Sequence, residues 1–424
     1  MAQRTAGRFR RVRIGIAVAT AAAVALALGG CASAAGGPAN ITFFLSKPEA
    51  IPYFQNVVKD FNSSQTGVHV TLDSASSLSA GFLRGNPPDV GLLNYNMEMA
   101  RFQERGALSD LSDMPEASRI RPDVQALVDQ LPSYPGRTSV LPYSVAAESV
   151  IYNKKIFADN DIAVPTTWDE LIAACDKLKA AGVTPIYSTF KDPWTVAQGL
   201  FDYTVGGSID VAGFYKKLNK EGTAVGPNSS VSFEKTLQKP VDRMNQLAAY
   251  SNKDAPSRGY GDGNVAFAKG EAAMYMQGPW ALGEIAKTNP DLKLGTFPLP
   301  MTNDPGDLKV RVNLDLALWV PEASDNKPAA RQFVSYLMQQ KVMDAYNAAY
   351  LGFGTTTDAA PATDDRITGM QKYYDDGRFY QGASKFIQLS IPTENYLQSI
   401  VTGANAEKTL SQLDADWARL ALRG

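Results

Sequence analysis

The α/β character of this chain shows first in residues 41–61, which read ITFFLSKPEAIPYFQNVVKDF. The first five residues form an apolar, β-prone run. From Pro52 onward the apolar residues Phe54, Val57, Val58 and Phe61 recur at helical spacing. Two further apolar runs, residues 68–72 and 89–93, predict the next strands. Strands that alternate with helices in this way predict an α/β sheet.

Polar residues follow the first and third of these strands. Ser46 and Lys47 come after the first strand, and Asn94, Tyr95 and Asn96 come after the third. Ligands of open α/β sheets bind outside the carboxyl ends of the strands. All five side chains can hydrogen-bond a hydroxylated ligand, so we expect a binding site there.

The N-terminus has the pattern of an export signal. Five arginines precede the uncharged residues 14–28, which are too short to cross a hydrocarbon core of ~30 Å comfortably. The run Leu28-Gly29-Gly30-Cys31 then resembles the lipobox of bacterial lipoproteins. This predicts that residues 1–30 are removed and that Cys31 carries palmitate or a similar lipid on the outer face of the cell membrane. Residues 31–39 would be a flexible tether, and the alternative is an ordinary signal peptide with a chance cysteine.

The rest of the chain exceeds the size of one ordinary core, so two lobes are expected. Without the signal it keeps 36 of the 41 Lys and Arg residues against 43 Asp and Glu, a formal charge of −7. A negative net charge disfavours nucleic acid as a partner, because nucleic acid attracts basic surfaces. Once Cys31 is acylated, Cys175 is the one remaining thiol and no intrachain disulfide can form.

Cys175 and His69 are better explained by structure than by chemistry. Cys175 shares a helical face with Leu171 and Leu178, after a capping box formed by Thr167 and Glu170. His69, the sole histidine, points outward in the alternating run 68–72. A metal site or a histidine-based triad would need partners that this sequence lacks.

Five runs, in order and spacing, give a specific resemblance. They are PPDV at 87–90, IYNKKIF at 151–157, VPTTWDEL at 164–171, FAKGEAAM at 267–274 and QGPW at 277–280. Together they resemble the extracellular sugar-binding proteins of bacterial ABC importers, of the maltose-binding protein type, over nearly the whole mature chain. The resemblance implies a two-lobe periplasmic-binding-protein-like α/β fold whose lobes close around a sugar.

The resemblance also implies how the chain is shared between the lobes. Crossings fall near residues 144–150, 310–316 and 355–365, which gives an N-lobe of residues 40–147 and 316–363. The C-lobe is then residues 148–315 and 364–424. The first two crossings coincide with extended, β-prone runs, and the third with a polar, loop-like stretch.

Carried over residue by residue, the resemblance places ligand contacts in both lobes. Residues 94–96 correspond to the N-lobe binding loop, although Leu93 and Asn96 stand where the family often has tryptophan or an acidic residue. Asp192 matches a carboxylate that accepts sugar hydroxyl hydrogens. Trp194 and Trp280, the latter after Gly278, match aromatic residues that stack on sugar rings. An indole beside a carboxylate suits the apolar face and hydroxyl edge of a sugar.

Four more candidates lie near the predicted crossings. Tyr143 precedes the first crossing, where the floor of the cleft is expected. Asn313 and Asp315 interrupt the apolar run 310–320, where a charge needs a partner, so each is either a ligand contact or a hinge hydrogen bond. Phe353 is a candidate for the far rim, and Phe386 is a second one.

We expect the protein to capture a di- or oligosaccharide for an ABC permease whose ATPase is a separate subunit. We also expect it to be a monomer and to need no cofactor. A membrane-anchored glycoside hydrolase is the main alternative, and it would need two carboxylates across the sugar. The acidic pairs Asp364-Asp365 and Asp375-Asp376 lie in polar, surface-like stretches. A lipoprotein for a peptide, polyamine or metal is a third class. The loose dinucleotide pattern at 261–266 follows no buried strand and is predicted to be a loop.

Overall fold

The computed structural model describes residues 37–422, so the predicted signal, Cys31 and most of the predicted tether lie outside the described residues. From Ala39 onward these residues form one compact unit. Its nine strands have the order β2-β1-β3-β8-β4-β6-β5, with β7 paired to β4 and β9 paired to β8. The strands are β1 Ala39–Phe44, β2 Val68–Asp73, β3 Val90–Leu93, β4 Leu141–Asn153, β5 Thr184–Tyr187, β6 Ala272–Gln277, β7 Leu294–Phe297, β8 Val310–Trp319 and β9 Phe379–Gln381.

Helices surround this sheet along the whole described chain. In order they are α1 Ile51–Ser64, α2 Leu78–Leu83, α3 Met97–Glu104, α4 Pro122–Asp129, α5 Lys154–Asp159, α6 Trp168–Ala180, α7 Pro193–Thr195, α8 Asp202–Ser208, α9 Val211–Glu221, α10 Phe233–Ala248, α11 Tyr260–Ala268, α12 Pro279–Thr288, α13 Lys327–Leu337, α14 Gln340–Tyr350, α15 Thr368–Asp375, α16 Thr393–Val401 and α17 Ala406–Ala421. A π-helical turn, Val196–Phe201, joins α7 to α8, and a 3₁₀ turn, Ala383–Phe386, follows β9.

The first half of the sheet confirms the strand and helix pattern of residues 41–93. β1 is parallel to β2 and to β3, and α1 buries the predicted stripe Phe54, Val57, Val58 and Phe61. α13 covers the same core, with the Phe333 ring 5.1 Å from that of Phe43. β3 then pairs antiparallel with β8.

Two long strands, β4 and β8, connect the halves of the sheet. Residues 141–148 of β4 pair with β8, whereas residues 149–153 pair with β6 and β7. These strands contain the extended runs predicted at the first two crossings. Side chains alternate along a strand, so Arg311, Asn313 and Asp315 lie on one face of β8.

The second half of the sheet is covered by α6 through α12 and by the C-terminal helices. Cys175 is buried in α6, and its capping box of Thr167 and Glu170 forms as predicted. Trp417 of α17 is buried in the core against Phe233, at a centroid distance of 5.5 Å. In the first half, His69 is exposed on β2, also as predicted.

The prediction of a loop at residues 261–266 is wrong. These residues belong to α11, where Gly263 lies against Thr189 and Tyr275 so closely that a side chain would not fit. The glycine therefore permits close packing of the helix. Within residues 37–422, no helix is long and apolar enough to cross a bilayer.

Candidate ligand-binding site

A cleft of about 1280 Å³ lies between elements from the two halves of the sheet. Its walls combine the segment after β1, the start of α3 and the end of α14 with α7, α11 and α12. Residues of β4 and β8 complete it. The predicted residues that line the cleft are Ser46, Lys47, Asn94, Asn96, Trp194, Trp280, Asn313 and Asp315.

Trp280 presents its indole to the cleft from the first turn of α12. The side chain is half-buried, and its Nε1 donates to Gln277 Oε1 at 3.3 Å. The ring folds back over Gly278, where a Cβ would come within 2.3 Å of it. Gly278 is buried and does not line the cleft. It therefore allows the indole its position, and the structure does not place it as a ligand contact.

Trp194 forms a second aromatic surface together with Tyr260. Their ring centroids are 5.1 Å apart, and both residues line the cleft. Asp192, predicted to accept sugar hydroxyls, does not line it. Its Oδ2 accepts a hydrogen bond of 2.7 Å from the backbone N–H of Tyr260, which is an unsatisfied donor at the start of α11. Asp192 thus positions Tyr260.

Lys47 and Asp315 form an ion pair in the cleft. Lys47 Nζ donates to both carboxylate oxygens of Asp315, at 2.7 and 2.6 Å. The hydroxyl of Tyr346 donates to Asp315 Oδ2 at 3.3 Å. Asp315 thus lines the cleft and has two hydrogen-bond partners, and its two interpretations, a ligand contact and a hinge hydrogen bond, stay predictions.

Asn313 and Asn94 bring amide groups to the same cleft. Asn313 is buried and lines the cleft, and its Oδ1 has no hydrogen-bond partner among the described residues. Asn94 Oδ1 accepts from Lys385 Nζ at 3.5 Å. Asn96 also lines the cleft, but its Oδ1 caps α3 by accepting from the N–H groups of Glu98 and Met99.

Three predicted contacts are placed in the core instead of the cleft lining. Tyr95 is buried and donates to Gln103 at 3.1 Å. Tyr143 is fully buried, with its ring against those of Phe54 and Tyr346. Phe353 is buried beside Tyr374, and its backbone pairs with Val145. Aromatic burial favours these positions, and we leave the three residues out of the proposed site.

The family model of the bacterial extracellular solute-binding proteins matches residues 46–344. The chain belongs to this family. It is 26% identical over 317 residues to the multiple sugar-binding protein of Streptococcus mutans serotype c, covering 72% of each chain.

Solved structures of solute-binding proteins show the same fold. The apo form of RafE from Streptococcus pneumoniae superposes with a TM-score of 0.78 at 21% identity, over 91% of this chain and 99% of RafE. RafE in complex with raffinose gives 0.74 at 22% identity, over 90% and 99%. The chain thus has the two-lobe architecture of this family, as its sequence predicted.

Several cleft residues of this solute-binding protein were missed by sequence reasoning. They include Tyr260, Gln198, Glu98, Glu284, Lys287 and Lys385. Tyr260 begins the helix that was predicted to be a loop. The polar residues that interrupt the apolar run 310–320 pointed to Asn313 and Asp315, but they gave no signal for these six residues.

The acidic pairs considered for a hydrolase lie elsewhere. Asp365, Asp375 and Asp376 are exposed, and Asp364 accepts from the Arg366 guanidinium at 2.8 and 2.7 Å. That guanidinium holds the pKa of Asp364 below its usual range. None of the four lines the cleft. Within residues 37–422, no cluster of three His, Cys, Asp or Glu residues is suited to a metal ion.

Proposed function

We propose that this protein captures a di- or oligosaccharide outside the cell and delivers it unaltered to an ABC-type permease. The observation that carries the proposal is a single cleft that contains two indoles and Tyr260 beside amide, carboxylate and ammonium groups. Sugars have an apolar C–H face for the rings and a hydroxyl edge for the polar groups. The names of the similar proteins agree: one is a multiple sugar-binding protein, and another is bound to raffinose.

Ligand capture would use closure of the lobes. We assign residues 40–147 and 316–363 to the N-lobe, and residues 148–315 and 364–424 to the C-lobe. β4 and β8 then act as two of the crossing segments, with residues 355–365 as the third. A sugar between the lobes favours the closed form because only there do both lobes contact it.

Delivery would require a place at the membrane. Cys31 lies outside the described residues, and its predicted acylation would tether a monomeric binding protein to the outer face of the cell membrane. The closed form would dock on permease subunits whose separate ATPase supplies the energy. The protein itself would not be an enzyme.

Isothermal calorimetry of the mature protein tests this proposal. The panel contains raffinose, stachyose, maltotriose, cellotriose, diacetylchitobiose and galactose. We expect saturable binding of at least one saccharide, with the same sugar recovered unchanged after overnight incubation. Shorter products would support the hydrolase instead, and the absence of binding across the panel would contradict a sugar receptor.

A further inference from the structure

Lys385 places an ammonium group in the cleft that sequence reasoning did not assign. Its side chain lines the cleft, and within hydrogen-bond range its Nζ has one acceptor among the described residues, Asn94 Oδ1 at 3.5 Å. In the proposed partition these residues belong to opposite lobes. The long distance leaves the ammonium capacity for a better acceptor.

The backbone that carries Lys385 is held by a buried network. Ser384 donates through its backbone N–H and its hydroxyl to Asp202, at 2.7 and 2.8 Å. Asp202 also accepts from Arg311 Nη2 at 2.8 Å, and Arg311 contacts Glu148 on β4. On the other side, the ring of Phe386 stacks on Tyr215 at 4.7 Å and 8°.

Gly382 makes this arrangement possible. A Cβ there would lie 2.2 Å from Asp202 Oδ2 and 2.6 Å from Arg311 Nε. The 3₁₀ turn Ala383–Phe386 therefore packs directly on the ion pair. This support fixes the base of the Lys385 side chain below the cleft, as a binding site requires.

We propose that Lys385 is a ligand-contacting, specificity-determining residue that donates a hydrogen bond to a hydroxyl oxygen of a neutral saccharide. Asn313 Oδ1, which lines the same cleft and has no hydrogen-bond partner among the described residues, is an acceptor for another hydroxyl of the sugar. The inference rests on the proposed function and adds to it the class of sugar, one without an acidic group. Asp202, Arg311 and Ser384 would be positioning residues.

The charges around Lys385 favour a neutral ligand over a sugar acid. Arg311, Asp202, Asp315 and Glu394 all act electrostatically on its ammonium. Arg311 is offset by Glu148 as well as Asp202, and Asp315 by Lys47. Positive charge is therefore not in excess, and an added carboxylate would lack a counter-charge of its own.

The protonation of Lys385 gives a specific signature. Burial, together with the positive charge of Arg311, lowers the pKa of Lys385 to about 8. Below that pH the amine is a charged donor, and above it the donor is neutral and weaker. Binding of the sugar is thus linked to the protonated form, so affinity falls as pH rises above about 8.

The test is calorimetry on the wild type, Lys385→Met, Lys385→Arg and the exposed control Lys408→Met. Each is titrated with raffinose, stachyose, maltotriose, cellotriose, diacetylchitobiose, galactose and the acidic sugar trigalacturonate at pH 7.0 and 9.5. At pH 7.0, Lys385→Met should bind about tenfold to hundredfold more weakly than the wild type, because it loses a charged hydrogen bond. Lys385→Arg should recover part of that loss. Wild type and Lys408→Met should weaken at pH 9.5, whereas Lys385→Met should change little.

The possible results separate the two proposals. Equal affinity of wild type and Lys385→Met, or the same pH dependence in both, overturns the role of Lys385 while sugar capture stands. Tighter binding of trigalacturonate than of every neutral sugar overturns the ligand class. If no sugar binds the wild type, both proposals fall. Should Lys385→Met not fold, the pH profile of the wild type decides, because a flat profile contradicts the inference.

Discussion

At the scale of single residues, the cleft depends on how Trp280 is held. Its indole is kept over Gly278 by the hydrogen bond to Gln277, so the exposed face of the ring has a fixed direction. A rigid ring loses little entropy when a ligand stacks on it. Trp280 provides the stacking surface, and Gly278 provides the space that sets the direction of the ring. One substitution at each position tests these contributions.

Trp280→Ala should weaken saccharide binding about tenfold to hundredfold, in the range of aromatic hot spots. Because the ring is half-buried at the cleft, the free energy of unfolding should change by no more than about 1–2 kcal/mol. Calorimetry and urea denaturation measure the two effects. A large loss of stability with unchanged affinity would make Trp280 a core residue.

Gly278→Ala should weaken binding although Gly278 does not line the cleft. The added methyl group would lie 2.3 Å from the indole, so the ring must move. We expect a loss of about threefold to tenfold in affinity and a changed tryptophan fluorescence spectrum. Gly261→Ala is the matched control, since Gly261 does not line the cleft and a Cβ there meets no neighbouring atom within 4 Å. Equal affinities in both variants would contradict this role.

At the scale of elements, α11 shows how one carboxylate organises a wall of the cleft. Asp192 precedes α7, which carries Trp194, and it accepts from the first N–H of α11, which carries Tyr260. A single acceptor thus ties together the two helices that present the aromatic pair. The sequence identified Asp192 as important, but its contact is with the backbone.

Asp192→Ala should lower the free energy of unfolding by about 1 kcal/mol, as the loss of a helix cap does. Saccharide affinity should fall too, because the Trp194 and Tyr260 rings lose their fixed spacing. Asp192→Asn keeps an acceptor oxygen and should therefore retain most of the stability and most of the saccharide affinity. If the charged carboxylate contacted the ligand directly, the Asn variant would not retain the affinity. Chemical denaturation and calorimetry on the two variants distinguish these outcomes.

At the scale of the whole molecule, a buried ion-pair network lies where the two halves of the sheet meet. Glu148 on β4 is directly opposite Arg311 on β8, and Arg311 also reaches Asp202 of α8. All three side chains are fully buried. This network joins both long strands to the C-terminal segment that carries Lys385.

Arg311→Met should destabilise the whole fold by about 3–5 kcal/mol, because it leaves two buried carboxylates without their partner. Urea denaturation measures this loss. Arg331→Met is the control, since Arg331 pairs with the exposed Asp113 and should cost about 0–1 kcal/mol. A similar small effect for both variants would show that the network does not support the fold.

The sequence by itself determined the α/β class, strands β1–β4 and β8, helices α1 and α6, the two indoles and the polar residues of β8. These follow from local periodicity and from motifs, which depend on neighbouring residues. His69 and Cys175 were assigned correctly for the same reason, since the face of a strand or helix can be counted along the chain.

The tertiary structure decided which polar groups still have hydrogen-bonding capacity for a ligand. Asp192 accepts a hydrogen bond from the first residue of α11, 68 residues away. Tyr95, Tyr143 and Phe353 are buried in the core. Lys385 contacts Asn94, which is 291 residues away in the sequence, and no local sequence pattern predicts this contact. A binding site consists of the groups that folding leaves without better partners, so it is known only once the long-range contacts are known.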